Sequence, residues 1–306
     1  MILWVCAIAA LLITAPILRE RFKRPVDDAT RAAAPGQFAR LSQGVTHYQW
    51  HGSDGPMVVC VHGLTTPSFV WQALAAGLVQ MGFRVLAYDL YGRGYSDHVP
   101  GAQDHAFFQT QLTDLLADQD VGDNITLIGY SMGGAIATVF AAQNRARLRR
   151  LILLAPAGMR PVATGWVGSM IRTPLVGSWL MLLTYPRSLR AGLAAEADQL
   201  THVKNISTLQ TAELGRRGFV PSVHASLCGA LATTLHTEHH ALRDAGLPVL
   251  AIWGADDAVI PLAASKQLHH WNTSAQTAII DTAGHGLPYT HTPDALGHIA
   301  RFLPHS

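Results

Sequence analysis

Short apolar runs alternate with helical stretches along most of this chain, and that alternation constrains the fold more than any other feature. The runs lie at residues 57–61, 84–88, 125–128, 151–154, 249–253 and 277–280. Each is continuously hydrophobic rather than alternating, as strands buried on both faces are. Between and after them, the spacing predicts helices over 69–81, 105–117, 132–144, 262–271 and 293–302. Strands and helices in this order predict an α/β fold, a mostly parallel sheet covered by helices on both sides. Residues 44–52 add a candidate antiparallel edge strand.

The alternation breaks once. About ninety residues, 157–246, separate two strands that should be neighbours, with Pro161, Pro174, Pro186 and Pro221 as punctuation. A structureless loop of that length does not suit a compact domain. The segment reads as a helical cap over one end of the sheet. Ligands of open α/β sheets bind beyond the carboxyl ends of the strands, so a cap there would wall a pocket. The expected organisation is a core of residues 44–156 and 247–306, with the cap at 157–246.

Residues 2–18 carry no charge and are followed by Arg19, Arg21, Lys23 and Arg24, with Glu20 as the lone acid. A helix of that length spans roughly 25 Å, the short end of a bilayer crossing. The segment is apolar on all faces, unlike a surface helix. The expectation is an N-terminal transmembrane helix over 1–18, a membrane contact through residues 2–18, and a linker over 19–43. The basic cluster places the catalytic part in the cytoplasm. The alternative is a cleaved signal peptide and a secreted or periplasmic protein. It is weakened by the lack of positive charge before the apolar run and by Pro16 near its end.

Composition excludes several classes. The chain of 306 residues is 49% hydrophobic and 14% charged, which is too apolar for a disordered protein. A net charge of +2 does not suit a nucleic-acid binder. The three cysteines, Cys6, Cys60 and Cys228, are too far apart for a CxxC site or a disulfide scaffold. The histidines form no HExxH, and the adjacent pairs His239-His240 and His269-His270 do not share a helix face.

The chemistry concentrates in Gly129-Tyr130-Ser131-Met132-Gly133-Gly134, which follows the strand at 125–128 and opens a helix. A serine on such a strand-to-helix turn projects its hydroxyl from the surface, and the helix N-terminus behind it favours a developing anion. Gly129 and Gly133 remove side chains where strand and helix cross. A serine hydroxyl needs a base. His285, in Thr282-Ala283-Gly284-His285-Gly286 after the last strand, lies at the same end of the sheet. The imidazole needs a carboxylate to fix its tautomer. The segment from Gly254 to Pro261 supplies Asp256 and Asp257, one of which can serve as a turn or helix cap instead.

In these motifs the sequence resembles the α/β-hydrolase superfamily, over roughly residues 44–306. The order serine, aspartate, histidine is the one that fold uses. The resemblance implies an eight-stranded, mostly parallel sheet flanked by helices. It also selects Asp257 over Asp256, because the family's acid stands three residues after a glycine and four before a proline. Val61-His62-Gly63-Leu64 resembles the family's HG motif, which implies an oxyanion hole from the backbone N–H groups of Leu64 and Met132. Asp89-Leu90-Tyr91-Gly92-Arg93-Gly94-Tyr95-Ser96 resembles the family's D-x-x-G-x-G-x-S loop and is read as structural. Ser131 stands where dehalogenases and epoxide hydrolases of this fold carry an aspartate.

The expected activity is therefore hydrolysis of carboxylic esters through an acyl-enzyme, with Ser131, His285 and Asp257 as the triad and neither metal nor cofactor. The apolar cap, with Trp166, Met170, Leu175, Trp179 and Leu183, points to hydrophobic acyl esters. The plan resembles membrane-anchored monoacylglycerol lipases and esterases. The alternatives are a carbon–carbon bond hydrolase of meta-cleavage diketones, with Arg160, Arg172, Arg187 or Arg190 as candidate carboxylate binders, and a non-catalytic binding protein on the same scaffold.

Overall fold

The computed structural model describes residues 2–303, and for residues 2, 3 and 5–10 the helical backbone alone. In chain order, the helices α1 (Ile2–Arg21) and α2 (Asp28–Ala32) precede β1 (Gln37–Leu41), β2 (Gly44–His51) and β3 (Met57–Val61). Then come α3 (Gln72–Gln80), β4 (Arg84–Tyr88), α4 (His105–Asp118), β5 (Ile125–Tyr130), α5 (Met132–Gln143) and β6 (Leu148–Leu154). Five helices follow: α6 (Gly165–Arg172), α7 (Val176–Ala195), α8 (Ile206–Glu213), α9 (Phe219–Cys228) and α10 (His236–Asp244). The chain closes with β7 (Val249–Gly254), α11 (Ala263–Trp271), β8 (Gln276–Ile280), α12 (Leu287–Thr290) and α13 (Thr292–Phe302).

The strands form one eight-stranded sheet in the order β1-β2-β4-β3-β5-β6-β7-β8. β1 and β2 are antiparallel to each other, and β2 is antiparallel to β4; all other pairs are parallel. Continuous hydrophobicity has its cause in the layers. Val59, Val61, Leu127, Leu151 and Leu153 face one core with Leu112 of α4, Ile136 of α5, Leu242 of α10 and Leu268 of α11. Their strand neighbours Val58, Cys60, Ile128, Ile152 and Leu154 face the other, with Leu74 and Leu78 of α3 and Ala295 and Ile299 of α13. Successive side chains point to opposite faces, and both faces are covered.

Two expectations about the flanks change. Residues 37–41, expected in a linker, form β1, paired with β2 from Gln37–Tyr48 to Leu41–Gly44. A five-residue edge strand mixing Gln37, Arg40 and apolar residues carries too weak a pattern to stand out beside the Pro35-Gly36 turn signal. At the other flank, α10 packs on α5 and α11, so the end of the segment expected as cap belongs to a core-covering layer.

The expected membrane-spanning helix is also revised. Of its residues 1–18, positions 1–3 and 5–10 lie outside the described side chains. Among the described residues, no helix is long and apolar enough to cross a membrane. The second half of α1 is docked on protein. Trp179 Nε1 of α7 donates to the Ile13 carbonyl, 3.0 Å. The buried carboxylate of Glu20 accepts from Gly218 N at the start of α9, 2.7 Å, and pairs with Lys23, 2.6 Å. Arg217 N donates to the Arg24 carbonyl, 2.8 Å. From Ile13 onward the segment is docked on protein and does not offer every face to lipid, and most of the rest of the expected contact through residues 2–18 lies outside the described side chains. Leu11, Leu12, Ile17, Leu18 and Phe22 remain exposed on the free side.

Candidate active site

β5 ends where Ser131 turns the chain into α5, and ordinary backbone does not make that turn. Ser131 has φ 53° and ψ −118°, a region that costs an L-residue free energy and persists only where surroundings enforce it. Its peptide groups are pinned accordingly. Ser131 N donates to Leu154 O of β6, 2.9 Å, and its own carbonyl accepts from Gly134 N, 2.9 Å, and Ala157 N, 3.0 Å. The flanking glycines answer to close approach. A Cβ on Gly129 would meet the Gly133 carbonyl, and one on Gly133 would meet the carbonyl oxygens of Val61 and His62. The hydroxyl thus stands at the carboxyl end of the sheet, ahead of the positive end of α5.

His285 follows β8, and its loop is held by Tyr130, whose hydroxyl donates to the His285 carbonyl at 3.1 Å. The imidazole bridges two side chains. Nε2 lies 2.9 Å from Ser131 Oγ, and Nδ1 lies 2.8 Å from Asp257 Oδ2. An ionised carboxylate only accepts, so Nδ1 carries the hydrogen and Nε2 presents its lone pair to the hydroxyl. The second oxygen of the buried Asp257 accepts from Val259 N and Ile260 N, both at 2.8 Å. Those two amides aim the carboxylate. Asp256, the other acid considered from sequence, is exposed, and its amide bonds to the Ala283 carbonyl at 2.9 Å. The structure therefore brings Asp257, and not Asp256, to His285.

The loop after β3 passes beside the serine: a Cβ on Gly63 would lie 3.3 Å from Ser131 Cβ. Leu64 and Ser131 line one cavity, and Met132, the first residue of α5, directly follows Ser131. His62 braces this loop from inside. Its Nδ1 donates to the Gly63 carbonyl, 2.7 Å, and its Nε2 accepts from Leu90 N, 2.8 Å. Burial pulls the imidazole pKa down to about 4, so the ring is neutral and able to accept.

A cavity of about 320 Å³ opens over Ser131 and His285. The core supplies Leu64, Thr66, Tyr130 and Ile260. The opposite wall is α7, whose Tyr185, Ser188, Leu189, Gly192 and Leu193 recur at helical spacing, with Glu196 just beyond its end. Among the described residues, no Lys or Arg lines this cavity. None of the four arginines considered from sequence is among its lining residues; Arg172 donates to the Ala163 carbonyl and Arg190 to the Pro186 carbonyl. Nor do the described residues contain a cluster of three or more His, Cys, Asp or Glu side chains placed to hold a metal ion.

A serine on a strained strand-to-helix turn, hydrogen-bonded to a histidine that is itself bonded to a buried carboxylate, at the carboxyl end of a parallel sheet, defines the hydrolase class of open α/β proteins. The chain belongs to the alpha/beta hydrolase fold family, whose model matches residues 56–292. It is 26% identical over 288 residues to a 2-hydroxy-6-oxononadienedioate/2-hydroxy-6-oxononatrienedioate hydrolase of Dechloromonas aromatica, covering 89% of this chain and 96% of that protein. It is 26% identical over 240 residues to a pimeloyl-[acyl-carrier protein] methyl ester esterase of Vibrio campbellii, covering 78% and 91%. Among solved structures, an esterase from Exiguobacterium antarcticum superimposes with a TM-score of 0.74 at 17% identity, over 87% of this chain and 98% of that one.

The cap walls the cavity as expected from sequence, but through other residues: none of Trp166, Met170, Leu175, Trp179 and Leu183 is among its lining. The face of α7 from Tyr185 to Glu196 repeats at three and four residues, a signal that was available. Leu, Ser and Tyr on a helix face look the same whether they fill a core or wall a pocket, so the pattern alone did not assign it.

Proposed function

We propose that this protein is a serine hydrolase that cleaves carboxylic esters through an acyl-enzyme. Ser131 Oγ attacks the carbonyl carbon while its proton passes to His285 Nε2. The oxyanion is held by the N–H groups of Leu64 and Met132, and Asp257 stabilises the imidazolium through Nδ1. The carbon–oxygen bond to the alcohol breaks as the imidazolium returns its proton to the leaving oxygen. Water then attacks the acyl-enzyme by the same steps, which releases the acid and restores Ser131. The observation that carries this reading is the continuous Asp257–His285–Ser131 hydrogen-bond chain opening on a cavity. The naming of a relative and of a structural neighbour as esterases supports it.

The substrate in this reading is a hydrophobic acyl ester, with monoacylglycerols as one example. The support is the lining itself: Val162, Leu189, Leu193, Leu231, Val259 and Ile260 supply apolar surface for a chain. The second reading, a carbon–carbon bond hydrolase, draws on relatives named as dienedioate hydrolases. It is disfavoured by a cavity with no cationic side chain to receive two carboxylates.

Purified protein tested with a fluorophosphonate probe and an ester panel separates these readings. The expected result is labelling of Ser131 and faster turnover of medium acyl chains than of acetyl esters. Better turnover of acetyl esters would sink the lipid-like substrate. Turnover of a dienedioate with all esters ignored would replace the reaction.

A further inference from the structure

Among the described residues, Glu196 is the one acid that lines the cavity, and no Lys or Arg joins it. Glu196 stands one residue past the C-terminal end of α7, where the helix dipole is negative. Its charge is felt by the phenols of both Tyr130 and Tyr289, which it helps to hold in their neutral form after burial has done most of that work. The other polar groups near it are neutral: Tyr289, and Gln210, whose Nε2 donates to Thr66 Oγ1 at 2.8 Å. The remaining charged group, Asp257, lies behind His285 and is also an acid. Among the described residues, no Lys or Arg lines the space, and its one histidine is the proposed base His285.

We infer that Glu196 is a specificity-determining residue of this cavity, selecting esters whose far end is a hydroxyl or a cation and rejecting those whose far end is a carboxylate. A carboxylate side chain offers only acceptor oxygens. A group that settles beside it must donate a hydrogen bond or carry positive charge. A second carboxylate brought there meets like charge in a space partly shielded from water, where repulsion is stronger than in solution. The inference rests on the proposed esterase reading and narrows its substrate class.

The test is a matched set of 4-nitrophenyl esters sharing one scissile bond: hexanoate, 6-hydroxyhexanoate, 6-(trimethylammonio)hexanoate and the adipate monoester. Wild type is expected to hydrolyse the adipate monoester with kcat/KM at least about tenfold below hexanoate, and the hydroxyl and ammonium esters no more slowly than hexanoate. Glu196→Gln should shrink the carboxylate penalty severalfold, and Glu196→Lys should reverse it. Both variants should keep the wild-type melting temperature, because Glu196 is partly exposed at a helix end. Equal turnover of the adipate and hexanoate esters, or ratios unmoved by either substitution, would overturn the role of Glu196 while leaving the esterase intact. Failure to turn over any of the four esters, with no fluorophosphonate labelling, would overturn the esterase reading and this inference with it.

Discussion

Ser131 Oγ lies 2.9 Å from His285 Nε2, although the two residues are 154 positions apart in the chain. The sheet accounts for the meeting. β5 and β8 are parallel members of one sheet, so the loops that leave their carboxyl ends emerge on the same side. The strain at Ser131 and the Tyr130 hydroxyl beneath the His285 carbonyl fix the two partners relative to each other.

Removing the hydroxyl should therefore remove the reaction and little else. Ser131→Ala keeps the pinned backbone, since its hydrogen bonds to Leu154, Gly134 and Ala157 use peptide groups. Turnover of any substrate should fall by at least about 10⁴-fold, as nucleophile loss does in other triads. Fluorophosphonate labelling should disappear, and the melting temperature should stay within a few degrees. Labelling that survives at wild-type rate would place the nucleophile elsewhere.

The two adjacent acids give a sharper contrast. Asp257→Asn replaces a carboxylate that accepts from Nδ1 with an amide able to donate there, which favours the wrong imidazole tautomer. The expected loss in kcat is on the order of 10⁴-fold. Asp256→Asn alters an exposed side chain whose amide, not its carboxylate, makes the observed bond. It should stay within about twofold of wild type. Steady-state kinetics on one ester decide the matter, and a larger loss at Asp256 would reverse the assignment.

The core of the fold was readable because parallel strands buried on both faces cannot hide. Residues 57–61 and 84–88 stand in the structure at their expected bounds, and 125–128 extends only to Tyr130. The geometry around Ser131, Asp257 and His285 was readable for a related reason. Each residue sits just past a strand, and Gly129, Gly133 and Gly254 mark contacts that forbid a side chain. What was lost lies where pattern and environment part company. β1 is an edge strand, so water on one side relaxes its composition. α1 is uncharged up to Leu18, yet the chain uses its second half against α7 and α9 through Trp179 and Glu20, contacts that no local pattern encodes. The wall of the cavity built by α7 depends on which helix faces the sheet, a tertiary fact.

His239 predicts an acid-sensitive element away from the site. Its ring is fully buried beside Trp271, and neither ring nitrogen has a hydrogen-bond partner in the structure. Burial, with a smaller effect from His240, pulls its pKa down from 6.5 to about 4. The unfolded chain therefore binds a proton here that the folded one refuses between those values. The folded state keeps full stability above pH 6.5 and loses this share as pH falls through 6.5 toward 4. His239→Leu should raise stability by about 1 kcal/mol at pH 7, because an unpaired buried polar ring is removed. It should also flatten the decline of melting temperature between pH 6.5 and 4. A variant whose melting temperature falls as steeply as wild type across that range would assign the decline to other groups.

Arg93 links the proposed oxyanion loop to the cap. It is almost fully buried and, among the described residues, forms no ion pair; its guanidinium is satisfied by neutral acceptors. Nε donates to the Leu64 carbonyl at 3.1 Å, and Nη1 donates to Tyr91 O at 2.9 Å and Gln103 Oε1 at 2.5 Å. Nη2 donates to Ser222 O at 3.2 Å and Ser226 Oγ at 2.8 Å, both on α9. Burial pulls its pKa down to about 9, with Tyr185 and Glu213 resisting, so it remains charged at neutral pH. A planar five-donor fork suits three segments at once, and an ammonium cannot reach all of them. Arg93→Lys should free the peptide that follows the Leu64 N–H and lower kcat about tenfold or more, short of the full loss of an oxyanion donor, while KM moves less. Ser226→Ala removes a bond from the same guanidinium without touching Leu64. It should lower the melting temperature while kcat stays within about twofold. If both variants lose stability and neither loses kcat, Arg93 braces the cap and leaves the position of Leu64 to His62.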